Sequence, residues 1–432
     1  MPSTKGLNMT ESAALLEMSA PRESATHSHS IETNPSCLPG VAFAFRFGNE
    51  DGFVHRFFAL YRDLVARELR GSARCLFAFA GRLGDDPVYP PHWAEEVQEN
   101  LYDNSPENRA RIKNFVMANR VAVIIFQGAN FGEIDLSYFR QLGVKTITTE
   151  DHSFNAEMKQ SLVRTSAKYL VRRLLKWQVH DLHIANSQGQ YDFHLHIAQL
   201  PPERLRIVRY GIDTDYYVPG NRRTACAQLG LDPEVLWIMG AAQARPEKRV
   251  DELIKVIRQV KDARPDAPIG FFFVGGGFDD DRLLTEWKGL AERLFTPGEY
   301  RFFGKQRDMR LFYHAASIFV HAAFKESFGL VLAEAMASGL PVIATRAHGP
   351  ADIIDDGGTG RLVDRDDWAA LAKAVISYVD KPDLMIMHGE MGRRRCLERF
   401  TCGHQASDLA NLIRPFLEAA KPKTPTEYRR SA

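Results

Sequence analysis

Residues 324–345 read FKESFGLVLAEAMASGLPVIAT. Two glutamates, Glu326 and Glu334, bracket a Phe-Gly pair, and small and apolar residues follow up to Gly339 and Pro341. A solvated helix scatters its charges along one face and has no need of Gly329 beside an aromatic. The preceding FVHAA reads as a strand and GLVLAEAMAS as a helix with a small-residue face. Gly339 and Pro341 supply its stop before a further strand, VIAT. That order is the repeating unit of a parallel sheet. It puts Glu326 in the loop at a strand's carboxyl end and Ser327, Phe328 and Gly329 at a helix N-terminus.

The same alternation extends in both directions from this stretch. Strand patterns in the second half are LWIMGA at 236–241, IGFFFVG at 269–275, YRFFG at 300–304, SIFVHAA at 317–323 and PVIAT at 341–345, with amphipathic helices between them such as VDELIKVIRQVKDA at 250–263. In the first half VAFAF (41–45), CLFAFAG (75–81), VAVIIF (121–126) and KTITT (145–149) alternate with helical patterns in the same way. The reading is an α/β chain of two tandem Rossmann-like domains facing each other across a cleft. Residues 1–40, rich in Ser, Thr, His and Pro, read as a disordered extension. The first domain spans 41–215 and the second 216–400, and the last helix, about 404–420, packs back on the first domain. Doubly wound domains bind ligands in loops beyond the carboxyl ends of their strands, so the cleft is the expected site.

Composition narrows the function. The 432 residues are 45% hydrophobic and 25% charged, with a formal net charge of +1, which argues against nucleic acid as the main partner. No run is long and apolar enough to span a bilayer, and the N-terminus lacks a basic-then-apolar signal, so a cytoplasmic address is expected. Cys37, Cys75, Cys226, Cys396 and Cys402 are scattered and form no CxxC pair, which favours buried free thiols. The acidic run Asp279 to Asp281 fits a solvated loop and helix cap better than a metal site.

The chemistry concentrates at the opening stretch. Free N–H groups and the positive end of the dipole at a helix N-terminus suit a diphosphate, and Gly329 allows close approach. Glu334, a turn and a half into the helix, can accept hydrogen bonds from a ribose diol, while Glu326 near the loop tip can reach sugar hydroxyls.

This order of E-S-F-G-L, A-E-A-M-A-S-G and P-V-I-A resembles the E-x7-E signature of retaining GT-B fold glycosyltransferases, above all glycosyltransferase family 4, the group 1 glycosyl transferases. The resemblance implies that Glu326 contacts the donor sugar, Glu334 the ribose, and Ser327, Phe328, Gly329 and Leu330 the sugar and diphosphate. In AQARPEKRVDELI, 242–254, it assigns Arg245 and Lys248 to the donor diphosphate, with Gln243 standing where many members carry the arginine. RYGIDTDYYVPG, 209–220, is similar to the family's N-G-V-D-x-x-x-F-x-P hinge segment, with Tyr210 in place of the asparagine. FVGGG (273–277) matches a glycine-rich turn, and the segment from Tyr300 resembles the frame of the nucleobase.

In the first half FGNEDG, 47–52, matches the family's flexible glycine-rich loop, making Gly48 and Gly52 candidate contacts, and TTEDHSF, 148–154, places His152 toward the donor sugar. The basic face of 161–179, with Arg164, Lys168, Arg172 and Lys176, reads either as a solvated face or as a contact with anionic lipid on the inner face of the cell membrane. The implied activity is sugar transfer with retention from a nucleotide diphosphate sugar to a glycan or lipid-linked acceptor, with no metal required. Two alternatives stay open: a nucleotide-sugar epimerase of the same fold, and an inactive nucleotide-sugar-binding relative.

Overall fold

The structure, a computed structural model, describes residues 38–49, 52–84, 91–128, 134–149, 180–277 and 281–420. His152, the basic segment 161–179, Asp279 and Asp280, and residues 1–37 of the expected extension lie outside the described residues. The first sheet holds β1 (Gly40–Phe45), β2 (Arg74–Phe79), β3 (Glu95–Gln98), β4 (Val121–Gln127), β5 (Lys145–Thr149), β6 (Leu182–Ala185) and β7 (Leu205–Ile207). The second holds β8 (Leu236–Ala241), β9 (Ile269–Val274), β10 (Tyr300–Phe302), β11 (Ile318–His321), β12 (Val342–Thr345) and β13 (Arg361–Val363). Their orders are β3-β2-β1-β4-β5-β6-β7 and β10-β9-β8-β11-β12-β13, with every pairing parallel. The strand order reverses between β1 and β4 and again between β8 and β11, so each sheet has a switch point where loops diverge and leave a crevice.

The central strands form because their sequences can be buried on both faces. VAVIIFQ in β4 and IGFFFV in β9 are buried at every position, as strands covered by helices on both sides require. Across β1 and β2, Phe45 stacks on Phe79 with centroids 4.6 Å apart. On the second sheet the helix Val250–Ala263 buries Val250, Leu253, Ile254, Ile257 and Val260, a stripe at helical spacing that covers β8 and β9. β3, β6, β7 and β13 extend the expected set of strands. They are short, and β3, EEVQ, carries charge along a half-exposed edge.

The polypeptide passes between the sheets twice, side by side. In the segment after β7, Ile212 N–H donates to the Phe400 carbonyl at 2.7 Å and Gly211 N–H to Gln405 Oε1 at 2.7 Å. The helix Cys402–Ala420 then lies against the helix Gly52–Glu68, where Arg414 Nη2 donates to the Glu68 carbonyl at 3.0 Å. A second tie joins the sheets' helices: Asp352 accepts from Gln188 N–H at 2.9 Å and from Arg209 Nε at 3.1 Å. Cys75, Cys226, Cys396 and Cys402 are free and buried, and burial pushes the Cys75 and Cys396 thiols up to about 12, which leaves them inert. Among the described residues no helix is long and apolar enough to cross a membrane.

Candidate active site

Lys248 closes the short 3-10 turn Pro246–Lys248 after β8, and Glu326 lies in the loop after β11. Because β8 and β11 are neighbours at the switch point, residues 78 apart in sequence meet: Lys248 Nζ donates to Glu326 Oε2 at 2.7 Å. The two side chains are only 11% and 13% exposed. His321, the last residue of β11, donates from Nε2 to the same oxygen at 3.1 Å; an ionised carboxylate only accepts, so Nε2 carries the hydrogen. Burial alone would raise the Glu326 pKa, but the Lys248 charge and the His321 and Lys248 hydrogen bonds outweigh it and hold the carboxyl well below the ordinary range. Glu326 is therefore an ionised acceptor fixed between two donors. Phe324 N–H, donating to the Glu247 carbonyl at 2.8 Å, locks the two loops together.

The loop enters the helix Leu330–Ala337 through Gly329 in a left-handed conformation, φ +100°. A Cβ there would stand 3.1 Å from Leu332 Cδ1 and 3.2 Å from Glu326 Cγ, so glycine both permits the turn and leaves Glu326 its room. Ser327 is buried, and the Phe328 ring is core, edge-on to Tyr210 and Phe400 at 5.4 and 6.0 Å. The ring anchors the loop, which leaves backbone amides of the first turn, Leu330 included, as the groups able to meet a ligand.

Glu334 sits deeper. It is 1% exposed, and Tyr313 Oη donates to its Oε2 at 2.7 Å. Burial pushes the Glu334 carboxyl up to about 7 against the pull of the Tyr313 hydroxyl. Arg245 stands apart from this cluster: its side chain is half exposed, with Glu247 3.9 Å away.

In the first sheet Gly48 follows β1, and a Cβ on it would fall 2.3 Å from the Arg82 carbonyl oxygen, so the glycine allows two adjacent loops to touch. Gly52 opens the helix Gly52–Glu68. The carboxyl ends of β4 and β5 hold residues that sequence reading passed over. Gln127 and Thr149 are register partners, and both amide atoms of Gln127 and the Thr149 hydroxyl are buried without a hydrogen-bond partner. Beside them the Tyr102 hydroxyl shares its one hydrogen between the Ala44 and Gln127 carbonyls, at 3.1 and 2.8 Å, under the Arg46 guanidinium. Buried polar atoms left unpaired are costly in a finished core and mark a place where a ligand can supply the missing partner.

Of the other residues missed, His321 is visible in the sequence as a polar residue ending an apolar strand. Tyr313 carried no such signal.

Two parallel sheets with paired switch points, and the charged cluster on the second, define a GT-B fold. Residues 222–395 match the family model for glycosyl transferases group 1, the family that the sequence resembles. A D-inositol 3-phosphate glycosyltransferase of Corynebacterium glutamicum (strain R) is 31% identical over 215 residues, 49% of this chain and 51% of that protein. The corresponding Streptomyces coelicolor protein is 32% identical over 229 residues, 49% and 50% of the two. The chain thus spans about half the length of the curated relatives it matches. Among solved structures, Anabaena HepE in complex with UDP and glucose superposes with a TM-score of 0.69 at 17% identity, covering 87% of this chain and 99% of that one. WaaG, a glycosyltransferase involved in lipopolysaccharide biosynthesis, gives 0.63 at 20%, covering 86% and 99%.

Proposed function

We propose that the protein transfers a sugar, with retention of anomeric configuration, from a nucleoside diphosphate sugar to an acceptor hydroxyl. The observation that carries this reading is the Lys248–Glu326–His321 cluster at the β8/β11 switch point, beside the entry to the helix Leu330–Ala337. Lys248 has three N–H donors and gives one to Glu326, leaving two for a diphosphate. As the bond from the anomeric carbon to the phosphate oxygen breaks, its electron pair passes to the phosphate. Lys248, a reoriented Arg245 and the helix terminus meet that growing charge, so the reading assigns no metal. Glu326, kept ionised, accepts sugar hydroxyls and orients the ring. The acceptor oxygen attacks from the face that the phosphate leaves, and the departing phosphate oxygen takes its proton. Glu334 accepts the ribose diol once its cover of side chains makes way.

The acceptor in this reading is rich in hydroxyls and lies at the first sheet. Gln127 and Thr149 offer unpaired donors and acceptors for such a molecule. The named relatives are D-inositol 3-phosphate glycosyltransferases and WaaG is involved in lipopolysaccharide biosynthesis, so a phosphorylated cyclitol and a glycan or lipid-linked saccharide are the two acceptor classes to supply. Contact of segment 161–179 with an anionic membrane at the cytoplasmic face belongs to the lipid-linked case.

The test is nucleoside diphosphate release from a panel of nucleotide sugars, each with inositol phosphate, free glycans or lipid-linked saccharides. Release that depends on an acceptor supports transfer. Conversion of the donor sugar without an acceptor identifies an epimerase instead, and binding without either reaction identifies an inactive relative.

A further inference from the structure

β11 reads IFVH and is buried at every position, so His321 closes an apolar strand with a polar ring that is only 4% exposed. A polar side chain that deep needs a partner, and it has one in Glu326, five residues on, whose Oε2 accepts from His321 Nε2 at 3.1 Å. The ring itself is held still. It lies nearly parallel to Phe319 on the same face of the strand, with centroids 6.4 Å apart and planes 13° apart, and its backbone is in register with Ala344 of β12. The turn that leads on to Glu326 is tied as well, by the Thr345 hydroxyl donating to the Ala323 carbonyl at 2.6 Å.

Lys248 and His321 both donate to Oε2 of Glu326, at 2.7 and 3.1 Å, and none of the described residues donates to Oε1. The two donors differ in what they can fix. Lys248 brings a compact charge on a flexible four-carbon stem with rotatable N–H groups, so it attracts the carboxylate without choosing its orientation. His321 brings an N–H in the plane of a ring seated on the sheet, so it does choose. With Oε2 held from both sides, Oε1 keeps its lone pairs for a further donor.

We propose that His321 is a positioning residue for the donor sugar: its Nε2–H fixes the Glu326 carboxylate so that Oε1 accepts a sugar hydroxyl. The proposal rests on the sugar-transfer reading above and adds to it a residue that the family resemblance does not assign. Lys248 keeps its remaining N–H groups for the diphosphate, whereas the effect of His321 is confined to the sugar.

The experiment is calorimetric titration of the full chain with UDP-glucose and with UDP, and with GDP-mannose and GDP as a second pair. His321→Leu and His321→Phe both remove the N–H and keep an apolar body on the strand; His321→Gln retains an N–H donor. In the Leu and Phe variants the sugar nucleotide is expected to bind about tenfold more weakly, as loss of one hydrogen bond to a charged group implies, while the free diphosphate stays within about twofold of the unmodified protein. His321→Gln is expected to recover most of the loss. On a Glu326→Ala background His321→Leu has no further effect, because no carboxylate is left to orient.

Equal weakening of sugar nucleotide and free diphosphate, or a loss in His321→Gln as large as in His321→Leu, would reduce His321 to packing and overturn the proposal. Unchanged sugar-nucleotide affinity in the Leu and Phe variants, or a further loss on the Glu326→Ala background, would overturn it too. Each of these outcomes leaves the sugar-transfer reading standing, since the unmodified protein still binds the donor. If the unmodified protein binds neither pair, that reading fails and this proposal falls with it.

Discussion

Lys248 and Glu326 are each about nine-tenths buried and 2.7 Å apart, so solvent screens the pair little. If Lys248 meets charge that grows in the transition state, Lys248→Ala lowers turnover by about a hundredfold or more, about 3 kcal/mol, while donor affinity changes less. Turnover at saturating donor checks this. Glu334 gives a second test, on stability. Its folded pKa, about 7, lies above the ordinary 4.5, so its contribution to stability is fully present below pH 4.5 and is lost as pH rises through 7. Urea unfolding at pH 5 and pH 8 should show a loss in the unmodified protein that is smaller in Glu334→Gln by about 2 kcal/mol. The glutamates and Lys248 were legible in the sequence because their spacing within a strand-loop-helix order is itself informative. Their partners were not: Tyr313 is 21 residues from Glu334, and only the folded sheet brings Lys248 to His321.

Elements were legible in proportion to their burial. β1, β2, β4, β8, β9, β11 and β12 announce themselves as apolar runs, because a central parallel strand must satisfy both faces of its sheet, and β5, KTITT, as a β-branched one. β3, β6, β7 and β13 (EEVQ, LHIA, LRI and RLV) are short and broken by polar residues, so no apolar run marks them, and they exist because a neighbouring strand offers them hydrogen bonds. The loop from β11 into the helix Leu330–Ala337 depends on Gly329 in a way that the sequence did suggest. At φ +100° an alanine is strained, and its Cβ crowds Glu326 and Leu332. Gly329→Ala should cost about 1–2 kcal/mol of stability and raise the donor KM as Glu326 is displaced from Lys248. Thermal denaturation and initial rates measure the two effects separately; a variant as stable as the parent with an unchanged KM would remove the loop geometry from the account.

At the scale of the whole molecule, two parallel sheets are joined by adjacent crossings at Gly211–Ile212 and Phe400–Thr401 and tied again by Asp352 to Gln188 and Arg209. The tandem doubly wound architecture was legible from alternation alone; these ties were not, because they join residues such as Asp352 and Gln188 that are 164 apart in sequence. The arrangement gives each sheet its own set of loops: the charged cluster at the β8/β11 switch point, and unpaired polar groups at the ends of β4 and β5. In the sugar-transfer reading the charged cluster is where the nucleotide binds. A crystal structure of the protein with UDP bound tests it directly. The diphosphate is expected within hydrogen-bond distance of Lys248 Nζ and the first-turn amides of the helix Leu330–Ala337, with the ribose on Glu334. UDP bound instead over Gln127 and Thr149 at the first sheet, with Lys248 still closed on Glu326 and no ligand beside it, would contradict the claim.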